Sequence, residues 1–404
     1  MPLFALVATA LAASPAEPQA EPPWDRVSLT LAVLAANPEI AEAEAALHAA
    51  RAHTDVVGAW GDPMVDLSLA PLSITSGMIG WDARVSQDLP LWGVRRAAKD
   101  MAGADADAAE ARLTMMRLDL ARMSAMAWAD WYVTHSEITL MQHTIELLAH
   151  IEDAASARLA TGKSAELDVL QTRAEAAGLA ASLPLLQAER DAVAAQINTL
   201  LHRPLETPVP PPPAPTVPPE PGAPSTPRRP ELAEADAMVR AAQAGERMAR
   251  LDRLPMLGWM LEWDGMQQMP EMRLMGGVSI QIPLALRSRA GAVREGEASV
   301  AAAEAGRTKM ADAVSLDVRT AQLRYSGQAE AVRVIDAELI PATDARVEAA
   351  RAAFSAGMQD LRPLLDAERA AMDAGIRHAQ ALAALQLRAA DLEIALGSTP
   401  GDSR

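Results

Sequence analysis

WDARVSQDLPL at residues 81–91 and LMGGVSIQIPL at residues 274–284 decide how this chain is read. In the first, Trp81, Ala83, Val85, Gln87 and Leu89 alternate with Asp82, Arg84, Ser86 and Asp88. In the second, Leu274, Val278, Ile280 and Ile282 alternate with Met275, Ser279 and Gln281. A period of two sends successive side chains to opposite faces of a strand, so each segment is a strand with one apolar and one polar side. Just upstream of each lies a matching partner. Val65, Leu67 and Leu69 alternate with Asp66, Ser68 and Ala70, and Leu257, Trp259, Leu261 and Trp263 alternate with Gly258, Met260, Glu262 and Asp264. The four segments predict two hairpins, about 62–90 and about 255–284.

Strands of about nine residues, apolar on one side only, meet the requirement of a tilted strand in an outer-membrane barrel. Trp60, Trp81, Trp92, Trp259 and Trp263 lie in or beside the hairpins, where an interfacial belt would put them. A half-buried soluble sheet would show the same alternation. Four strands cannot close a membrane barrel, since the smallest need about eight. Other subunits must supply the rest, and two copies or three would both serve.

Working outward, the two hairpins belong to two copies of one unit. SQDLPL at 86–91 answers SIQIPL at 279–284, and Asn37-Pro38-Glu39-Ile40 answers Arg229-Pro230-Glu231-Leu232. Leu159 to Gly162 answers Phe354 to Gly357, Leu170 answers Leu365, and His202 answers Gly397. This constancy of spacing marks a duplication. The first repeat is placed at 21–203 and the second at 231–397, with a tail over 398–404. Between them, residues 204–230 hold thirteen prolines, which exclude helix interior and central strand and predict an extended linker.

Each copy continues into helices of unusual length, over about 93–203 and 286–397. From about Arg95 to Leu159 there is no proline and a single glycine, Gly103, so a helix on the order of 100 Å is predicted. The second copy runs from about Ala290 to Ala356 and meets Pro341, where a kink is expected. Helices this long need partners along their whole course.

Composition agrees with long, closely packed helices: half of the 404 residues are hydrophobic, yet only 3% are aromatic. A net charge of −17 argues against a nucleic-acid partner, whose phosphates would be repelled. The chain has no cysteine, so disulfides, thiolate metal sites and a lipid anchor through cysteine are not expected. MPLFALVATALAASPAEPQA at 1–20 has the apolar run and small-residue end of a signal peptide, although no Lys or Arg precedes the run. No catalytic motif is present, neither a phosphate-binding loop nor a zinc-protease or nucleophile-elbow pattern, and no enzyme activity or cofactor is expected.

The second hairpin carries Met256, Met260, Met266, Met269, Met272 and Met275. Thioethers bind soft cations such as Cu(I) and Ag(I), so these residues are candidates for transient metal contacts, with apolar packing as the plainer role. His135, His143 and His150 are too widely spaced on one helix to share an ion.

The duplicated halves, the NPEI and RPEL starts, SQDLPLWG at 86–93, SIQIPL at 279–284, and the turns TGKSAELDVLQ at 161–171 and AGMQDLRPLLD at 356–366 together resemble the TolC-type outer-membrane factors of tripartite exporters. The resemblance implies a mainly α chain with a small β part. It implies a homotrimer whose twelve-stranded β-barrel in the outer membrane of a Gram-negative cell is joined to a periplasmic α-helical barrel. The tip of that helical barrel would meet a hexameric periplasmic adaptor and close as an iris, with an inner-membrane pump, expected to be of the RND type, as the energy source. Leu159, Gly162, Leu170, Gly357 and Leu365 become candidates for the docking tip, and Asp168, Asp366 and Phe354 for the gate and lumen. Phe354 stands where a hydrogen-bonding tyrosine is frequent, Gln359 where a gate arginine can sit, and Pro363 where a second aspartate is possible. The methionine-rich hairpin resembles the heavy-metal branch of the family. The function expected is therefore a passive exit duct for metal cations such as copper and silver. A drug or type I protein-secretion duct of the same fold, and a poreless periplasmic coiled-coil scaffold, are the alternatives.

Overall fold

A computed structural model describes residues 23–70, 80–90, 92–160, 166–220, 229–265 and 269–398. The expected signal peptide, Gly162, Met266 and the tail beyond 398 lie outside these residues. The first repeat runs α1 (Arg26–Ala36), α2 (Pro38–Gly58), β1 (Met64–Ala70), β2 (Gly80–Leu89), α3 (Val94–Ala160) and α4 (Glu166–Leu200). The second runs α5 (Pro230–Leu251), β3 (Met256–Asp264), β4 (Leu274–Gln281), α6 (Leu286–Val334), α7 (Ile340–Ser355) and α8 (Arg362–Ala395). No helix among the described residues is long and apolar enough to cross a membrane.

The two repeats start and stop by the same chemistry. Asn37 caps α2, its Oδ1 accepting from Glu39 N at 2.9 Å, and Pro38 fills the first helical position, where its missing N–H is no loss. The same Asn37 donates through Nδ2 to Leu200 O at the end of α4. Arg229 takes this place in the second repeat: its Nη1 donates to Ala395 O at the end of α8, while Nε and Nη2 bind the Glu231 carboxylate. Each unit is thereby closed, the N-cap residue of α2 or of α5 capping the carbonyl end of α4 or of α8. The stops match too. His202 (φ 51°) after α4 and Gly397 (φ 77°) after α8 are both left-handed, a conformation that costs a residue with a Cβ.

α3 is 67 residues long, about 100 Å, and buries an alanine-rich stripe that includes Ala97, Ala104, Ala111, Ala125 and Ala129. Small side chains let its neighbours α2, α4, α5 and α8 approach closely. Between α6 and α7, a π-helical turn over Ile335–Leu339 sits just before Pro341. Proline cannot donate to the carbonyl four residues back, and the backbone takes up the mismatch within a continuing helical path.

The main core lies midway along the helices, around Leu29, Val33, Leu120, Trp128, Trp131 and Ile197. Over it runs the proline-rich segment, whose described residues are held by side-chain donors from both repeats. Asn198 Nδ2 donates to Leu205 O and Thr207 O, Trp131 Nε1 to Pro210 O, Gln386 Nε2 to Thr216 O, and Tyr325 Oη to Pro218 O. Prolines offer carbonyls and no N–H, so such a segment binds only where donors face it. The expected linker is a strap across α3, α4, α6 and α8.

Candidate functional site: the sheet faces and the helical tip

The strands form one antiparallel sheet in the order β1-β2-β3-β4. Pairing joins the two repeats through β2 and β3, and its register decides what each face carries. Val65 opposes Val85, Leu67 opposes Ala83, and Leu69 opposes Trp81. Across the repeat boundary Val85 opposes Leu261, Ala83 opposes Trp263, and Leu89 opposes Leu257. Trp259 then opposes Val278, and Leu257 opposes Ile280. All four apolar sets therefore share one face. Val65, Leu67, Leu69, Val278 and Ile280 are each at least 60% exposed on it, an aliphatic surface that water does not favour.

The other face is acidic and polar. Asp66, Arg84, Glu262 and Met275 form one cross-strand row, with Arg84 and Glu262 paired at 2.9 Å; Ser68, Asp82 and Asp264 form the next. Met256, Met260 and Met275 lie on this face, exposed among carboxylates, and so does Met64. Met260 lies across Gly277, where a Cβ would fall 2.7 Å from the methionine methyl carbon. Met269 and Met272 belong to the β3–β4 connection, where Pro270–Met272 form a 3-10 turn. Among the described residues no three His, Asp or Glu side chains converge on a metal-sized point.

Four of the five hairpin tryptophans lie at the ends of the sheet. Trp60 and Trp92 lie at the helix end, and Trp81 and Trp263 at the opposite end. Trp259 sits within β3, opposite Gln87. Trp92 has φ 64° and donates through Nε1 to Pro255 O, so one hydrogen bond holds a strained indole at the junction of β2 and α3. The other tryptophans, Trp24, Trp128 and Trp131, belong to the helical core, where Trp128 Nε1 donates to Trp24 O.

At the far end of the helices a separate small core joins α3, α4, α7 and α8 through Leu148, Ile151, Val169, Leu361 and Leu364. Leu159 and Leu170 are exposed beside it. Leu365, half-buried, packs against this core with Phe354. Gly357 takes φ 71°; its N–H donates to Phe354 O, and Met358 N donates to Ala353 O, which ends α7. Asp168 is half-buried in the first turn of α4, where a negative charge suits the helix dipole, and Asp366 is exposed on α8.

The residue that sequence reasoning missed is Arg158. Its guanidinium lies 4.5 Å above the Phe354 ring, and its Nη1 donates to Phe354 O at 2.7 Å. One side chain thus ties the last turn of α3 to the last turn of α7. Phe354 supplies no hydroxyl at this position, and its ring and carbonyl both face the cation instead. A basic residue in the last turn of a helix entering the tip was the available signal.

The open sheet, sorted into an apolar and an acidic face and carried on paired helices of up to about 100 Å, has the build of a transport-channel subunit. The chain belongs to the outer membrane efflux protein family, whose pattern it matches over residues 31–203 and 226–398, once for each repeat. No curated protein matches it by sequence. Among solved structures it is similar to the outer-membrane channel OprN, with 23% identity, a TM-score of 0.78, and coverage of 92% of this chain and 90% of that one. The open-state outer-membrane channel MtrE of Neisseria gonorrhoeae gives 18% identity, a TM-score of 0.78, and coverage of 93% and 89%. CusC, described for its folding and transmembrane channel formation, gives 17% identity, a TM-score of 0.77, and coverage of 92% of each chain. The protein is a non-enzymatic outer-membrane efflux channel with a duplicated fold.

Proposed function

We propose that three copies of this chain close a twelve-stranded barrel whose acidic, methionine-bearing face lines the exit path for soft metal cations. The observation that carries this reading is the strand register, which gathers Asp66, Asp82, Glu262 and Asp264 with Met256, Met260 and Met275 on the face opposite the aliphatic side chains. β1 and β4 leave their outer edges unpaired, and unpaired backbone in lipid costs several kcal/mol per group, which favours closure by other copies. Thioethers offer weak, exchangeable contacts to Cu(I) or Ag(I), and carboxylates raise the local cation concentration. The tryptophans at the two ends of the sheet serve as interfacial belts on this reading.

The helical tip is the gate and the docking end. Leu159 and Leu170 present apolar contacts to a periplasmic adaptor, Asp168 and Asp366 line the entrance, and Gly357 shapes the turn. The adaptor and an inner-membrane pump of the RND type complete the exporter, which supplies the energy that a passive duct lacks. A drug or protein duct of the same fold is the second reading; the exposed aromatic and aliphatic surface at the sheet ends does not distinguish it.

Two measurements test this. Purified protein reconstituted in planar bilayers is expected to give cation-selective conductance, and absence of any conductance, even with Asp168 and Asp366 both replaced by Ala, rejects the duct. Deletion of the gene in its native host is expected to lower copper and silver tolerance. Unchanged metal tolerance with lost drug tolerance or lost protein secretion moves the cargo to the second reading.

A further inference from the structure

The helix end of the sheet is electrically unlike the rest of the molecule. Four segments lie there, the strand–helix connections with the helix ends beside them, residues 58–63, 90–99, 251–255 and 282–290. They carry six basic residues, Arg95, Arg96, Lys99, Arg253, Arg287 and Arg289, against two acidic ones, Asp62 and Asp252, for a local balance of +4 in a chain of −17. Register places the four segments together, because β1 and β3 begin where β2 and β4 end.

Local structure accounts for Arg95 and Arg289, which donate to Gly58 O and Asp252 O, and not for the other four cations. Arg95 and Arg96 stand in the first turn of α3 and Arg287 and Arg289 in the first turn of α6, with no acidic residue in either turn. A positive charge there opposes the helix dipole. Arg96, Lys99, Arg253 and Arg287 are exposed and form no ion pair or side-chain hydrogen bond among the described residues. Arg95 lies 4.2 Å above the Trp60 ring and donates to Gly58 O, yet its Nε is buried with no partner.

The collar adjoins apolar surface that is already exposed. Ile282, Leu284 and Leu286 are 63%, 84% and 75% exposed and continue the aliphatic face of β4 toward α6. A cleft of about 250 Å³ opens between Trp92, Leu254, Pro255, Pro283 and Arg289. Tryptophan, exposed aliphatic side chains and unpaired cations therefore follow one another over a short distance along the molecule. The same order of chemistry, read from the lipid side, is interface, acyl chain and phosphate.

We infer that this collar binds the phosphate headgroups of anionic phospholipids in the membrane leaflet facing the helices, with Arg96, Lys99, Arg253 and Arg287 as the phosphate contacts. The inference rests on the sheet being membrane-inserted, as proposed above. Repeated by each protomer, the collar forms a positive girdle directly below the barrel, which fixes the depth and tilt at which the barrel sits. It also separates two electrostatic zones, the acidic sheet face for cargo and the basic collar for lipid.

The test uses the full-length assembled protein, reconstituted into vesicles of phosphatidylethanolamine with phosphatidylglycerol as the minor anionic component. After mild re-extraction, the lipid retained by the protein is counted by mass spectrometry. Each surface cation near an anionic headgroup is worth roughly a fivefold preference, so wild-type protein is expected to enrich phosphatidylglycerol by about tenfold or more. Arg96→Gln, Lys99→Gln, Arg253→Gln and Arg287→Gln together are expected to return the ratio to that of the bulk vesicle. The charge-keeping set Arg96→Lys, Arg253→Lys and Arg287→Lys is expected to retain the enrichment. Equal ratios in wild-type and quadruple-Gln protein overturn the inference, and so does a wild-type protein that shows no enrichment, whether or not the Gln variant assembles. Stripping of the lipid by inorganic phosphate in the wash reassigns the contacts to free phosphate and overturns the lipid assignment. Failure of the wild-type protein to enter vesicles at all counts against the duct itself, a separate outcome.

Discussion

At the scale of single residues, the duplication exposes where one copy carries strain that the other avoids. His202 and Gly397 end equivalent helices in the same left-handed conformation, but only glycine adopts it without a Cβ clash. His202 is exposed, so His202→Gly is expected to raise unfolding stability by roughly 0.5–1 kcal/mol in denaturant titration, net of the extra chain entropy of glycine. Gly357→Ala imposes the opposite change and is expected to cost about 1–2 kcal/mol, with the loss concentrated at the tip in hydrogen exchange. The capping residues also differ in weight. Asn37→Ala removes a neutral cap and costs about 1 kcal/mol. Arg229→Met leaves Glu231 and the end of α8 without their buried cation and is expected to cost about 3 kcal/mol. Burial alone would raise the Glu231 carboxyl, but the Arg229 hydrogen bonds and charge outweigh it and hold the carboxyl below its ordinary value of 4.5. A depressed carboxylate stabilises the fold above its unfolded pKa and loses that contribution as pH falls through the folded one. The Arg229→Met deficit is therefore expected to be full above about pH 4.5 and to shrink on acidification, leaving the lost carbonyl contact.

At the scale of elements, the tip is two helix pairs held by a small core and by side-chain bridges, of which Arg158 reaches farthest toward the turn. Arg158 spans from α3 to both the ring and the carbonyl of Phe354 on α7. Cation–π contacts contribute about 0.5–2 kcal/mol, and a charged hydrogen bond adds a similar amount. If the tip gates the duct, Arg158→Ala is expected to raise open probability in planar bilayers by roughly tenfold, the change that about 1.4 kcal/mol produces. An unchanged open probability would confine Arg158 to a structural role in ending α7. The hairpins and the long helices were legible in the sequence because period two and an unbroken run of helix formers are local properties. Arg158 was not, because its partner lies 196 residues away, and nothing local distinguishes a bridging arginine from a solvated one.

At the scale of the whole molecule, the proline-rich segment joins the repeats away from the sheet, beside the packing of α3 against α5 and α8. Its carbonyls receive buried donors from α3, α4, α6 and α8, so it binds both halves at the level of the main core. Arg26 adds a second tie, from α1 to Glu393 on α8 at 2.9 Å. Each strap bond is worth about 1 kcal/mol, and the triple variant Trp131→Phe, Tyr325→Phe, Gln386→Leu is expected to lose about 3 kcal/mol. Calorimetry is expected to show one cooperative transition dividing toward two as the repeats uncouple. A single transition with unchanged midpoint would mean that the sheet and the packing of α3 against α5 and α8 couple them without the strap.

The sequence by itself determined the duplication, the two hairpins, the sidedness of each strand and the great length of the helices. Each of these is carried by residues near one another in the chain. Only the tertiary structure decided that the four strands form one sheet with β2 beside β3, so that four separate alternations add to one aliphatic face and one acidic, methionine-bearing face. It likewise turned the proline-rich linker into a strap, packed Leu365 and Phe354 against one small core, and gathered six cations from separate segments into one collar. The physical reason is common to all of these. Periodicity records which way a side chain points from its own backbone, but the partner that it meets is fixed by pairing and packing between segments far apart in sequence.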